Sequence, residues 1–281
     1  MKLLTLNTHS LVEKNYLQKT DVFVTAVAEE KPEIIALQEV NQTISAEKIN
    51  GNIEGYVCCC ENAVIREDNH AYRASQLLRK KGMGYYWSWL PLKKGYEIFE
   101  EGIALFSISP IIETETITVS AVNDYNNWKT RRILGVRTEK LPDEWFYSVH
   151  YGWWHDKEEP FSAQWERTEN ALKNREKVWL MGDFNNSADV RGEGYDLMKK
   201  SRWKDSFELA EIKDSGVTVC GKIDGWRDKN TEQKGMRIDQ IWCSKKASVA
   251  ETRVLFNGKN YPVVSDHYGV MIDYCVKGEV G

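Results

Sequence analysis

The sequence contains few prolines, few cysteines and no long apolar run. Its 281 residues include six prolines, and no segment is rich in glycine, serine and proline together. No stretch of about 18 uncharged apolar residues occurs, so a membrane-spanning helix is not predicted. Residues 1–7 become polar too soon for the apolar core of a signal peptide. We therefore expect a cytoplasmic protein with one domain over residues 1–281.

Cysteine is scarce, and half of it is clustered. Three of the six cysteines, Cys58, Cys59 and Cys60, are consecutive. Adjacent cysteines cannot pair with one another in ordinary disulfide geometry, and frameworks of disulfides belong to small secreted domains. No CxxC pair occurs, so a structural zinc site is not indicated. The pattern predicts buried, reduced thiols.

An excess of positive charge is also missing. The formal net charge is −4, with 38 basic and 42 acidic residues. A protein that binds duplex nucleic acid usually needs a basic face to neutralise phosphates. The short basic runs at 79–81 and 199–200 are balanced by nearby acids, which is typical of solvated surfaces. The charge therefore weighs against a nonspecific nuclease, although basic residues gathered on one face would keep that class open.

Short apolar or alternating runs dominate the rest of the chain and predict strands. Amphipathic patterns predict three helices, over residues 19–30, 71–81 and 163–174. The buried strand at 34–37 directly follows a helix, which indicates helices packed outside sheets. We predict an α/β protein with strands over 3–6, 33–40, 102–108, 114–119, 132–138, 145–150, 178–182, 238–243 and 268–275.

Polar residues follow several of the predicted strands at the point where each strand ends. Taken singly, each such residue is more often a solvated loop, a turn or a helix cap. The occurrence of six of them in one chain is more informative than any one. They are Asn7, Gln38-Glu39, His150, Gly182-Asp183-Phe184-Asn185, Asp239 and Ser265-Asp266-His267.

The order of these motifs resembles the endonuclease/exonuclease/phosphatase superfamily, which includes pancreatic deoxyribonuclease, abasic-site endonucleases, neutral sphingomyelinases and inositol-polyphosphate phosphatases. The resemblance runs from Leu4 to His267 and includes residues 102–107. It implies a deoxyribonuclease-like α/β (α+β) fold, a four-layer sandwich of two packed mixed β-sheets flanked by helices. The active site would lie at one end of the sheets.

The resemblance also implies a metal site. Glu39 would be the principal ligand of Mg²⁺, with Asn7 and Asp266 near the metal directly or through water. Oxygen ligands with few imidazoles suit Mg²⁺, or alternatively Mn²⁺, better than zinc.

Five further residues would carry the chemistry that the resemblance implies. Asp183 would orient or deprotonate the attacking water, while Asn185 and His150 would donate hydrogen bonds to phosphoryl oxygens. His267, paired with Asp239, would complete the clamp on the scissile phosphate. Phosphoryl transfer suits such a set because it needs mainly in-line positioning and stabilisation of charged oxygens.

Aromatic and basic residues near these motifs indicate the substrate. Trp153 and Trp154 come just after His150, and flat indole faces suit sugar rings or stacked bases. Arg131, in the stretch 126–132, could bind a second anionic group of the substrate, and Trp226 lies in another turn that could reach the same rim. The structural alternatives are packing between sheet and helix for the tryptophans and an exposed edge strand for the arginine.

These stretches and the modest length resemble the bacterial branch with maltose 6′-phosphate phosphatase activity. The resemblance implies a small phosphorylated partner, a sugar phosphate, rather than nucleic acid or a membrane. A nuclease would use the same core. A sphingomyelinase-like phosphodiesterase would need an apolar docking hairpin, for which residues 85–90 are the one candidate and more simply a core strand. A non-enzymatic binding protein is disfavoured because the metal glutamate, the Asp/Asn pair and the final histidine are all present.

Overall fold

Strands form most of the regular structure. The computed structural model describes residues 1–61, 63–221 and 235–275. Within these ranges the helices are α1 (Tyr16–Glu30), α2 (His70–Lys80), α3 (Phe161–Leu172), α4 (Gly194–Lys199) and α5 (Ser206–Leu209), with a short 3-10 helix at Ser10–Val12. The strands are β1 (Lys2–Asn7), β2 (Ile34–Thr43), β3 (Tyr86–Gly95), β4 (Phe99–Ser107), β5 (Ile111–Thr118), β6 (Arg132–Thr138), β7 (Glu144–His150), β8 (Lys177–Asp183), β9 (Lys204–Asp205), β10 (Ile212–Lys213), β11 (Asp239–Cys243), β12 (Ser248–Leu255) and β13 (Gly269–Cys275).

The strands form two mixed sheets. The first has seven strands in the order β10-β12-β13-β1-β2-β4-β3, and β1 is parallel to β2 but antiparallel to β13. The second has six strands in the order β5-β6-β7-β8-β11-β9, with β7 parallel to β8. The ends of β1, β2, β7 and β8 therefore carry their polar residues to one end of the molecule.

Successive side chains of each strand alternate between the interface of the two sheets and the outer face that the helices cover. In β1, Leu3 belongs to the apolar cluster between the two sheets, whereas Leu4 packs outward with residues of α1 and α2. On the far side, α3 covers the second sheet and contributes Phe161 and Trp165 to a third buried cluster. Successive side chains of a strand point to opposite faces, so one strand supplies both layers. The predicted four-layer sandwich is confirmed.

The aromatic segment at 85–90 is part of this core. It forms the beginning of β3, where Trp87 and Trp89 are fully buried and Tyr86 is partly exposed. It pairs with β4 along its length. The segment is therefore the core strand of the simpler interpretation, not an exposed apolar hairpin. Among the described residues, no helix has the length and apolar character needed to cross a membrane.

The cysteines agree with the sequence prediction only in part. All six are free thiols, as expected for a reduced chain. The expected burial is wrong for most of them, because Cys243 alone is buried while Cys58, Cys220 and Cys275 are exposed. The consecutive thiols lie in a loop between β2 and α2, where a side chain cannot alternate into a core as it does in a strand.

Candidate active site

A cleft of about 220 Å³ lies at the end of the two sheets where the polar strand ends meet. Strands of both sheets contribute to its walls, because β7 and β8 place His150 opposite Asp183 while β2 brings Glu39 from the first sheet. Its lining comprises Glu39, Lys93, Lys94, Gly95, Tyr96, Glu101, Trp128, Arg131, His150, Trp153, Asp183, Asn185 and His267.

Glu39 projects from an irregularity in β2. The register with β4 shifts between Leu37 and Val40, and Glu39 has a φ of 51°, in the left-handed region. Such a conformation costs a residue with a side chain about 1–3 kcal/mol and persists only where the surroundings impose it. Here the hydroxyls of Ser10 and Thr8 donate hydrogen bonds to the Glu39 carbonyl oxygen, at 2.7 and 3.2 Å. The bulge thus fixes the direction of the carboxylate.

Asn7 joins the two carboxylates of the cleft. Its Nδ2 donates to Oε1 of Glu39 at 2.9 Å and to Oδ2 of Asp183 at 3.2 Å. Burial raises the pKa of Glu39, and the nearby charge of Glu101 raises it further. The neutral amide of Asn7 donates a hydrogen bond to each carboxylate but supplies no positive charge to balance them. The ionised forms of Glu39 and Asp183 are therefore disfavoured, and a bound cation would stabilise them.

The Gly-Asp-Phe-Asn motif places Asp183 at the end of β8. Gly182 has a φ of 153°, and a Cβ at this position would lie 1.9 Å from the carbonyl oxygen of Val149, so no other residue fits. Asn185 donates from its backbone N to Oδ1 of Asp183 at 2.8 Å, and its side chain donates to the Tyr151 carbonyl at 2.9 Å. Burial, together with the charge of Asp239, raises the pKa of Asp183 to about 7. Such a carboxylate can accept a proton near neutral pH.

His267 is held by Asp239, the first residue of β11. Its Nδ1 lies 2.9 Å from Oδ2 and 3.2 Å from Oδ1 of the carboxylate. Burial alone would lower the pKa of His267, but Asp239 and then Asp183 raise it well above its ordinary value. His267 is therefore an imidazolium at neutral pH, and its Nε2 lies 4.0 Å from Oδ2 of Asp183.

His150, in contrast, is favoured in its neutral form. Burial lowers its pKa well below the ordinary value, and the positive charges of Arg131 and Lys93 lower it further. Its Nε2 lies 3.6 Å from Oδ2 of Asp183, while its Nδ1 is buried without a hydrogen-bond partner among the described residues. One cleft thus holds a charged and a neutral imidazole, set apart by their surroundings.

The predicted metal ligands are all at this end of the sheets. Asn7 contacts Glu39 directly, and the charge of Asp266 adds to the rise in the pKa of Glu39, so these two carboxylates are within electrostatic reach. Asp266 also groups with His9 and Glu13, since their potential ligand atoms lie within 4.8 Å of one another. The oxygen-rich donor set and the buried Glu39 carboxylate fit Mg²⁺ or Mn²⁺. A bound divalent cation would stabilise negative charge on phosphoryl oxygens.

Sequence reasoning missed three residues of this region. His9 follows Asn7 by two positions, and its Nδ1 lies 2.8 Å from Oε1 of Glu13 and 3.8 Å from Oδ1 of Asp266. Lys93 and Glu101 form a buried ion pair in the cleft wall, with Nζ 3.1 Å from Oε1. A histidine just past a strand end was a usable signal. The lysine was a weaker one, being a charged residue inside an apolar strand.

The predicted substrate residues separate into three groups. Trp153 lines the cleft, and its ring centroid lies 5.7 Å from that of Trp128, which was not among the predicted substrate residues. Trp154 packs instead against the buried cluster beneath α3. Arg131 also lines the cleft and is only 3% exposed, so the alternative of an exposed edge-strand arginine is wrong. Trp226 lies outside the described residues.

Solved structures share this architecture. An endonuclease/exonuclease/phosphatase family protein from Leptotrichia buccalis is 29% identical, with a TM-score of 0.86, over 98% of this chain and 100% of the other. A mannosyl-6-phosphatase from Bacteroides thetaiotaomicron has a TM-score of 0.64 at 16% identity, with coverages of 98% and 100%. A 3′-5′ exonuclease from Neisseria meningitidis has a TM-score of 0.63 at 18% identity, with the same coverages. The last two likenesses show the fold alone.

A sequence comparison defines the family. No curated protein matches the sequence significantly. The model of the Endonuclease/Exonuclease/phosphatase family, however, matches residues 4–267. This range contains every catalytic and metal-binding residue that the sequence predicted. The chain therefore belongs to the endonuclease/exonuclease/phosphatase family of phosphoesterases.

Proposed function

We propose that the protein is a Mg²⁺-dependent phosphomonoesterase that hydrolyses a sugar phosphate such as maltose 6′-phosphate in the cytoplasm. The observation that supports this substrate most directly is the pair of indoles in the cleft wall. Trp128 is half exposed and tilts against Trp153 at 53°, in the same cleft as Asp183 and His150. Indole faces suit the apolar face of a sugar ring.

The catalytic roles follow from the charge states in the cleft. Asp183, with a pKa near neutrality, would accept the proton of the attacking water. The His267 imidazolium and the Asn185 amide would hold phosphoryl oxygens, since a donor fixed in place before reaction stabilises developing charge. Asn7, Glu39 and Asp266 would hold the cation. His150, neutral and with an unpaired Nδ1, would complete the set as a hydrogen-bond partner of the phosphoryl group.

The similar structures support a phosphatase and keep one alternative. The Bacteroides thetaiotaomicron protein is a mannosyl-6-phosphatase, which is an activity on a sugar phosphate. The Neisseria meningitidis protein is a 3′-5′ exonuclease, and a Neisseria 3′ phosphatase has been solved bound to a product DNA hairpin. Since these proteins have nearly equal structural similarity to the chain, nuclease activity is the second candidate. The net charge of −4 favours the small substrate.

Hydrolysis of a substrate panel tests the proposal, measured as inorganic phosphate for the monoesters and as separated cleavage products for the DNA and the sphingomyelin. The panel contains maltose 6′-phosphate, mannose 6-phosphate, an inositol phosphate, abasic duplex DNA and sphingomyelin, each with Mg²⁺ and with added chelator. We expect chelator-sensitive release from a sugar phosphate. Cleavage of DNA alone would favour the second candidate, and turnover that persists in chelator would contradict the metal requirement.

Replacing Trp128 by alanine tests the sugar contact. We expect a higher KM for the disaccharide phosphate and little change for glycerol 2-phosphate, which has no ring to stack. Tyr86, also a partly exposed aromatic residue but outside the cleft, provides the matched control as Tyr86→Ala. An equal rise in KM for both substrates in Trp128→Ala would contradict stacking.

A further inference from the structure

Lys93 and Glu101 form one wall of the cleft and neutralise each other. They face one another across β3 and β4, each is only 6% exposed, and the lysine Nζ lies 3.1 Å from Oε1 of the glutamate. The Nζ also donates to the carbonyl oxygen of Trp128 at 3.1 Å. A buried ion pair needs such additional hydrogen bonds to offset the cost of desolvation. This pair therefore fixes the position of a cation without giving the wall a net charge.

Arg131 carries a buried positive charge in the wall of the same cleft. Its side chain is 3% exposed, and in the described part of the chain no carboxylate oxygen lies within 4.0 Å of its guanidinium nitrogens. Nη1 donates to the carbonyl oxygens of Trp128 and Thr130, and Nε is buried without a hydrogen-bond partner in the ranges that the structure describes. A guanidinium stays protonated in proteins. The charges of Glu101, Asp183 and Glu39 act on this guanidinium from farther away. A buried charge without a contacting partner is still costly, so its presence in a cleft indicates an anionic ligand.

The location of Arg131 points to the reacting phosphate rather than to a distant group. The charge of Arg131 lowers the pKa of His150, and Asp183 and Glu39 are among the residues whose charges act on the arginine. These are the residues that surround the predicted phosphate position. Trp153 lines the same cleft, and its buried Nε1 also has no hydrogen-bond partner among the described residues.

The number of negative charges on the phosphate distinguishes its esters. A phosphomonoester carries close to two negative charges at neutral pH because its second pKa is about 6, whereas a diester carries one. We propose that Arg131, positioned by the Lys93–Glu101 pair and the Trp128 carbonyl, binds the second charge of a phosphomonoester and makes this site select monoesters over diesters. The inference rests on the proposed phosphatase function and identifies what restricts that function to monoesters.

Two esters with one leaving group test the proposal. The first is 4-nitrophenyl phosphate, a monoester, and the second is methyl 4-nitrophenyl phosphate, a diester with a single charge. With Mg²⁺, the wild type should prefer the monoester. Arg131→Met should lower kcat/KM for the monoester about 10²–10³-fold, as for other residues that hold a charged phosphoryl oxygen, and by less than about 10-fold for the diester. Arg131→Lys, which retains the charge, should recover part of the loss.

A matched control and a binding measurement complete the design. Arg132 is the next residue, donates to Oγ1 of Thr116 and does not line the cleft, so Arg132→Met should leave the preference unchanged. Inhibition by inorganic phosphate should weaken in Arg131→Met together with the monoester rate. Thermal melting shows whether each variant is folded, and Arg131→Lys keeps the test valid if the methionine variant is not.

Three outcomes would overturn the inference. Equal losses for both esters in a folded Arg131 variant would reduce the arginine to a support for the loop that carries Trp128. A wild type that prefers the diester would contradict monoester selection directly. Wild-type inactivity toward both esters and toward the substrate panel would remove the proposed phosphatase function and the inference with it, a result distinct from active enzyme without discrimination.

Discussion

Replacing Asp239 by asparagine removes one charge from the buried centre of the cleft without changing its shape. The carboxylate lies 2.9 Å from Nδ1 of His267 and keeps this imidazole protonated. Without it, burial would lower the pKa of His267, and the phosphate would lose a charged donor. Loss of one such donor costs about 2.7–4 kcal/mol of transition-state stabilisation, or about 10²–10³-fold in kcat. We expect a loss of that size at pH 7.

The same substitution should lower the pKa of a second group, Asp183. The charge of Asp239 also helps to raise the pKa of Asp183, so this pKa should fall in Asp239→Asn. Under the proposed mechanism, the acid limb of the pH–rate profile reports deprotonation of Asp183, and the alkaline limb reports loss of the proton from His267. Both limbs should therefore move to lower pH, and the optimum should move with them.

The assay is kcat/KM across the pH range, with the wild type and Asp143→Asn as references. Asp143 is an exposed carboxylate outside the cleft. A protonated His267 stabilises the fold below its unfolded pKa, and this contribution is lost as pH rises through the higher folded pKa. The variant should consequently lose more stability in acid than in alkali. An alkaline limb that stays in place, or near-wild-type turnover at pH 7, would refute this reasoning.

Three further predictions concern packing and stability. Gly182→Ala should lower the free energy of unfolding by about 1–3 kcal/mol because the new Cβ would meet the Val149 carbonyl oxygen. Urea denaturation measures this change. Gly51→Ala is the control, since Gly51 also has a positive φ but has open space around it. Trp154→Ala should reduce the melting temperature and leave KM for the sugar phosphate unchanged, because Trp154 packs against a buried cluster. A changed KM in a stable variant would instead indicate that Trp154 contacts the substrate. A hydrogen bond from Arg253 holds the pKa of Glu30 near 2, so the stability it contributes above its ordinary pKa is lost as pH falls toward 2, and Glu30→Gln should show a flatter acid dependence in thermal melts.

The meeting of the candidate site residues could be predicted because most of them stand at strand ends. Asn7, His150 and Asp183 are the last residues of β1, β7 and β8, and Asp239 begins the antiparallel β11 directly opposite Asp183. A run of apolar residues that stops at a polar one is visible in a sequence. Once the two sheets are packed, these positions must share one end of the sandwich. The positions of the motifs at strand ends therefore suffice to predict that their side chains meet.

The rest of the cleft could not be predicted because it depends on burial decided by distant contacts. Lys93 is buried through its pairing with Glu101 on another strand, and nothing local separates it from the solvent-accessible Lys94 beside it. Arg131 is covered by the loop that carries Trp128, although its neighbour Arg132 is less buried. For Trp153 and Trp154, adjacent in sequence and identical in type, only the fold decides which one lines the cleft.

The position of β13 has a consequence for biosynthesis. This strand lies beside β1 in the interior of the first sheet, and Ser265, just before it, donates to the carbonyl oxygen of Asn7 across 258 positions of sequence. Contacts between such distant residues form late and slow folding. A ribosome-bound chain would hold β1 with one unpaired side until residues 269–275 emerge, and the cleft would lack His267 over the same interval. Enzymatic competence should therefore appear only after β13 has been synthesised, and until then the nascent chain exposes an open sheet edge of the kind that chaperones shield.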